Sequence, residues 1–329
     1  MTTAISTTET ARDPASEHKA LCEPEVMTQI VGSILLATDE SELAAAAARV
    51  ALAVARRHGL PIEVVRVVET HGVPLPPPLD IAIGLGDELV GPIVHEAQGT
   101  EIRMGLAAAL RTPVTWPVHV TIGAPPAAIV REARQSLAGR LVLGLRRHGP
   151  LGRALQDETA LHVLRHAPCP VLGVVPSLRG LPERVVAAVD FSRTSRAAAR
   201  LARDLVAPGG TLTLVYVSAA PPFQEDDGEG YVHALGVETG LVRLRETFDR
   251  DDDVAVETAV LGPTARRRVG EQLIELAERT RADLIALGSR RYGPLDRWLL
   301  GSVATDVARD GRVSLLVVPP IATPSTSHA

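Results

Sequence analysis

Residues Leu143–Leu155 read LGLRRHGPLGRAL, and residues Leu287–Leu299 read LGSRRYGPLDRWL. Nine of the thirteen positions are identical, at an offset of 144 residues. A second pair agrees: ILLATDES, ending at Ser41, and VVAAVDFS, ending at Ser192, place Asp39 and Asp190 151 residues apart. Two similar offsets mean that one unit is written twice with a small difference in length. The 329 residues fit that reading, since about 150 residues per domain suggests two domains. The first copy runs from about Gln29 to Pro176 and the second from about Glu183 to Pro319, giving domains at 29–178 and 182–320. Between them, PSLRGLP has the Pro, Ser and Gly of a turn. Residues 1–28 are polar and aperiodic, and 321–329 continue as a Thr- and Ser-rich tail; both are expected to be disordered.

Working outward from the repeated stretch, each copy alternates short apolar runs with segments of helical periodicity. In the second copy, Val185–Val189, Thr211–Val217, Val254–Leu261, Leu284–Leu287 and Ser314–Val318 read as strands. Helices fall at Ser195–Val206, Tyr231–Phe248, Arg268–Thr280 and Ser302–Arg309; Val269, Leu273 and Leu276 share one face of the third. The first copy repeats this, with strands near Ile34, Ile62, Val118, Leu141 and Val171. Apolar strands separated by helices imply a parallel sheet covered on both faces. The expected fold is α/β: two tandem, doubly wound, five-stranded domains. In such sheets ligands sit beyond the carboxyl ends of the strands at the switch point. That directs attention to Asp39 and Asp190 after strand one, and to Gly144 and Gly288 after strand four.

Composition bounds the function. Lys plus Arg total 34 against 39 Asp plus Glu, a net charge of −5. A general nucleic-acid binder carries a basic excess instead. Aromatics at 2% exclude base-stacking platforms. Cys22 and Cys169 form no disulfide framework and no zinc pattern, which fits a reducing cytoplasm. No secretory signal is visible, and the most apolar stretch, Leu43–Ala55, is too short to span a bilayer. The expectation is a cytoplasmic protein without membrane or nucleic-acid partners.

The strongest ligand candidate is GSRRYGPLDRWLLGSV, from Gly288. Gly288 lets backbone approach closely, Arg290 and Arg291 bring charge, and Gly301-Ser302 opens a helix whose free amides and dipole attract anions. The competing reading is a loop in which the glycines serve turns and Ser302 only caps the helix; residue types alone weigh the two equally.

These residues resemble the universal stress protein family. The resemblance rests on AVDFS after strand one, Gly262-Pro263 after strand three, and the Gly-rich loop after strand four. In the first copy it rests on Gly123-Ala124-Pro125-Pro126 and the closing stretch LRHAPCPVLGVVP, Leu164–Pro176. The family phosphate pattern is G-x₂-G-x₉-G followed by Ser or Thr. Gly288 and Gly301-Ser302 match with the outer spacing intact, and Arg291 replaces the middle Gly. The resemblance implies a strand order of 3-2-1-4-5 and, in some members, ATP binding with Mg²⁺. Carried over position by position, it implies Asp190 near ribose and phosphate, and Val217 at adenine. Gly288, Arg290, Gly301, Ser302 and Val303 would form the phosphate loop. It also implies dimer contacts through the strand-five edge, here as an intramolecular pseudo-dimer or a homodimer.

The first copy departs further: Asp157-Glu158 stands where the second has Gly301-Ser302. Acids there repel phosphate, like charges about 4 Å apart costing about 1 kcal/mol in water, while they satisfy a helix dipole with no ligand. The first copy is expected to be nucleotide-poor or empty, with Asp39 and Val67 structural or vestigial.

Other candidates read as bland. His162 and His166 have the spacing of a two-His metal face but no third ligand in a motif, so a surface pair is expected. Arg266–Arg268 reads as a solvated helix start, and the lone GxG of IGLGDEL follows a Pro-rich loop rather than a strand. Asp39 and Asp190 lack a partner base or nucleophile, and an N-cap or turn role competes with any ligand role. No GxxxxGK[ST] is present and the sole Lys, Lys19, lies in the N-terminal tail, which excludes P-loop chemistry. Neither an SGGxDS-like loop nor an HxGH pair appears, so a hydrolase or nucleotidyl transferase on a related scaffold is disfavoured. The expected function is a non-enzymatic, ATP-binding stress-adaptation module with a protein partner that the sequence does not specify. The alternative is an interaction protein of the same fold without a nucleotide.

Overall fold

The computed structural model describes residues 32–69, 87–146, 157–218, 228–248, 253–262, 267–291, 298–299 and 301–320. The expected tails, the Gly-Leu-Gly of Ile83–Leu89 and much of both Gly-rich loops lie outside them.

The first copy comprises β1 (Ile34–Thr38), α1 (Glu42–His58), β2 (Ile62–Val68), α2 (Asp87–Leu110), β3 (Val118–Ile122), α3 (Pro125–Gln135), β4 (Arg140–Gly144), α4 (Asp157–His166) and β5 (Val171–Val174). The second comprises β6 (Arg184–Ala188), α5 (Arg193–Leu205), β7 (Gly210–Val217), α6 (Gly228–Phe248), β8 (Val254–Leu261), α7 (Val269–Thr280) and β9 (Leu284–Gly288). It continues with β10 (Arg290–Arg291), β11 (Trp298–Leu299), α8 (Ser302–Asp310) and β12 (Ser314–Val318).

Ten strands form one continuous sheet in the order β3-β2-β1-β4-β5-β12-β9-β6-β7-β8. Each half has the order 3-2-1-4-5. Every neighbouring pair is parallel except β5 and β12, which meet antiparallel with Leu315 opposite Gly173, Leu316 opposite Leu172 and Val317 opposite Val171. The two copies therefore join edge to edge inside one chain. At the seam the buried Ser314 hydroxyl accepts from the Val175 amide at 3.2 Å, so the strand ends leave that amide satisfied. Pairing consumes both strand-five edges and corrects the expectation of a homodimer through them: β5 and β12 have no free ladder left for a second copy.

The alternation of side chains along each strand explains the two cores. Ile34 and Leu36 join Leu172, Val174, Leu316 and Val318 beneath α1 and α5. Leu35 and Ala37 join Val171, Leu315 and Val317 on the opposite face, beneath α3, α4, α7 and α8. Both cores run unbroken across the seam. With few aromatics, close approach does what ring size does elsewhere: α1 buries Ala44, Ala46, Ala47, Ala48, Ala51 and Ala55 against the sheet. Ser41 caps α1 and Ser192 caps α5, each accepting an amide three residues on, at Ala44 and Ser195.

Candidate functional site

At the carboxyl end of the second half, three adjacent strands end together. β7 ends at Val217, β6 is followed by Asp190, and β9 ends at Gly288. Asp190 belongs to a turn built for entering α5. Its carboxylate accepts from the Ser192 amide at 3.1 Å and the Ser192 hydroxyl at 2.6 Å, while its own amide donates to Ser195 Oγ. The residue between, Phe191, has φ 60°, the left-handed region that non-glycine residues seldom adopt. Asp39 and Glu40 repeat the device, with Ser41 N donating to Asp39 Oδ1 at 3.0 Å and Glu40 at φ 64°. This Asp is therefore a turn residue in both copies, whatever else the second one meets.

Gly288 is fixed by close approach. A Cβ there would lie 2.5 Å from the Ser195 amide nitrogen and 2.6 Å from the Thr194 carbonyl carbon, both backbone atoms of the first turn of α5. Gly144 meets α1 in the same way, with Leu43 Cβ at 2.7 Å. The glycine ending strand four is required by helix-on-sheet packing in both halves, with or without a ligand.

Gly301 is different. It is the N-cap of α8 with φ −58°, a conformation open to any residue; among the described residues no side chain caps the helix, and a Cβ would meet nothing within 4 Å. Neither backbone conformation nor packing demands glycine here. What glycine leaves is an open helix start, with the Ser302 and Val303 amides in the first turn and the positive end of the helix dipole. Val303 and Val217 both pack on the core of the α7–α8 face. Arg290 and Arg291 pair antiparallel with Leu299 and Trp298, a two-stranded ribbon. Arg291, in the place of the second family glycine, is one of its ladder residues.

In the first half, α4 starts with Asp157 and Glu158. α4 also lies against β11 and α8, so the ribbon and α8 of one half abut the counterpart helix of the other. His162 and His166 stack at 4.2 Å, and His166 Nδ1 pairs with the His162 carbonyl at 2.9 Å. Among the described residues, no group of three or more His, Cys, Asp or Glu is placed to hold a metal, and no helix is long and apolar enough to cross a membrane. Burial pushes the Cys169 thiol up to about 12, which leaves it an inert core residue. Of the basic run, Arg267 pairs with Glu275, and Arg268 reaches Glu271 and, at 2.9 Å, Asp306 on α8. Arg266 lies outside the described residues.

A model of the universal stress protein family matches residues 31–175 and again 182–319. The chain belongs to the universal stress protein family. A universal stress protein of Mycolicibacterium smegmatis (strain ATCC 700084 / mc(2)155) is 27% identical over 304 residues, 87% of this chain and 97% of the relative. A universal stress protein structure from Archaeoglobus fulgidus DSM 4304 matches with a TM-score of 0.57 at 21% identity, covering 89% of this chain and 97% of its own. A chain from Pseudomonas aeruginosa UCBPP-PA14 matches at 0.56 and 17% identity, covering 89% and 95%. These likenesses place the whole tandem arrangement within known universal stress protein folds.

Two features of this universal stress protein had no reading in its sequence. Phe191 stacks on Tyr216 at 5.6 Å, 22° from parallel, and its ring lies against Gly240 of α6, where a Cβ would meet it at 2.8 Å. In the first half, Glu40 and Arg66 occupy the equivalent positions and approach at 3.9 Å as a half-exposed ion pair. The same contact, strand-one turn to strand two, is ionic in one copy and aromatic in the other. The signal was present as Phe after Asp and Tyr before Val217, but only the fold shows that they meet.

Proposed function

We propose that the second domain binds an adenine nucleotide, ATP with Mg²⁺, and that the protein is a cytoplasmic stress-adaptation module whose output is a binding event rather than catalysis. The observation that carries this reading is Gly301: a glycine that the fold does not need, at the start of an uncapped helix, followed by a Ser hydroxyl. An open helix N-terminus is a ready anion site. In this reading the Ser302 and Val303 amides and the Ser302 hydroxyl hold phosphate, and Arg290 adds charge. Gly288 sets the loop, Asp190 borders the ribose, and Val217 offers backbone to adenine. The first domain is empty, because Asp157 and Glu158 carry negative charge to the corresponding helix start.

The test is calorimetric titration of nucleotide-stripped protein with ATP and Mg²⁺, beside a Gly301→Asp, Ser302→Glu variant. Binding near one per chain, weakened by at least ~30-fold in the variant, about 2 kcal/mol, is expected. No heat and no retained nucleotide in the parent would overturn the ATP reading and leave an interaction protein.

A further inference from the structure

A cavity of about 500 Å³ lies in the first half, lined by Arg49 of α1, Ala109 and Leu110 at the end of α2, Arg111 just beyond it, and Arg179 of the linker between repeats. Three arginines from three segments line one space. Among the described residues none of them has a hydrogen-bond or carboxylate partner. Arg49 goes further: its Nε is shut off from water and unpaired. An arginine stays charged whatever its surroundings; Arg49 is half-buried, Arg111 and Arg179 are exposed beside it, and an anion in the cavity would supply the acid that this group lacks.

The second half shows what an ordinary solution looks like. Arg49 closes the sequence AAAR in α1, and Arg200 closes the same AAAR in α5. Arg200 interacts with Asp204, four residues on, which offsets part of the cost of its burial. The corresponding residue in α1 is Ala53. The helix that faces the cavity has thus kept the cation and lacks the acid.

We propose that this cavity is a binding site for a small polyanion bearing phosphate or carboxylate groups, distinct from the nucleotide loop. Planar guanidiniums bind either group through paired N–H donors, and such charge-assisted bonds are the strong ones. Ala109 and Leu110 give one apolar wall, so a compact organic anion fits better than a bare ion. Because Arg179 belongs to the connector, occupancy ties the linker to α1 and α2.

The experiment is calorimetric titration of the full chain at low ionic strength with inorganic pyrophosphate and, separately, citrate. Parent protein is compared with Arg111→Gln, Arg179→Gln, with Ala53→Asp, and with the Gly301→Asp, Ser302→Glu variant. Arg111 and Arg179 are exposed, so their replacement leaves the fold intact. At least one polyanion should bind, about 10-fold more weakly once the two arginines are replaced. Ala53→Asp supplies an internal carboxylate and should weaken it too, while the Gly301→Asp, Ser302→Glu variant should keep it. A response to pyrophosphate alone assigns phosphate, and to citrate alone carboxylate. No heat from either, or binding unchanged by the arginine replacements, would overturn the proposal. Loss only in the Gly301→Asp, Ser302→Glu variant would assign the heat to the nucleotide loop and overturn it as well.

Discussion

The two glycines of the second half, Gly288 and Gly301, sit thirteen residues apart in one loop motif and answer to different masters. Gly288 has a counterpart in the first half, Gly144, and both are pressed against the first turn of a helix. Gly301 has none: its equivalent position carries Asp157, and none of the described residues touches the place where its side chain would be. Of the two, Gly288 reports on packing, and Gly301, without a packing reason among the described residues, marks where the proposed ligand is to be tested. The internal duplication thereby separates a glycine held by packing from one that the described packing does not require.

That separation breaks most visibly at strand four. Gly288→Ala forces a methyl onto backbone atoms and is expected to destabilise by ~2–3 kcal/mol; Gly144→Ala, which meets the Leu43 side-chain root first, by somewhat less, ~1–2 kcal/mol. Urea midpoints check both. A neutral Gly288→Ala would return Gly288 to the ligand side of the comparison.

The next contrast is the strand-one turn. Tyr216→Leu removes the stack on Phe191 and should cost ~1 kcal/mol, whereas Arg66→Met breaks a half-exposed ion pair worth ~0.5 kcal/mol or less. Equal costs, measured in the same denaturant series, would mean that the two halves do not differ in how this turn is held.

The smallest effect concerns the junction of the halves. His58, at the end of α1, pairs through Nε2 with the Asp204 carbonyl of α5 at 3.1 Å. Desolvation holds its pKa below the usual imidazole value of 6.5; the carbonyl opposes this, and Arg140 and Arg57 reinforce it. A lowered folded pKa means that the unfolded chain takes up the proton first. The stability is complete above pH 6.5 and erodes as pH falls through that value towards the folded pKa. His58→Gln should therefore show a shallower loss of stability than the parent between about pH 7.5 and 5.5, followed by thermal melting. A steeper loss in the variant would reverse the sign assigned to this contact.

Much of the architecture was legible because duplication made each copy a check on the other. The strands Val254–Leu261 and Ser314–Val318 fall where their apolar and β-branched runs predicted. Boundaries moved by a residue or two where caps rule, as at Arg193, which follows the Ser192 cap. The places of the loop residues were legible: Asp190, Val217 and Gly288 fall at the carboxyl ends of three adjacent strands, and Gly301 and Ser302 open α8. Their reasons were not: that Asp190 is engaged by Ser192, or that Gly288 meets Thr194, depends on approach distances with no local sequence signature. The β10–β11 ribbon was also hidden, because two-residue strands have no period to detect.

The antiparallel meeting of β5 and β12 has a last consequence. Two free domains that meet only by an edge would associate according to their concentration; joined by a short linker, they meet at an effective concentration of the order of millimolar whatever the cell supplies. One half can then lose features a ligand would require, provided it still presents a strand to its neighbour. The first half keeps Gly144 and β5, which complete the sheet, and carries acids at α4. It serves the second half as a subunit that never dissociates.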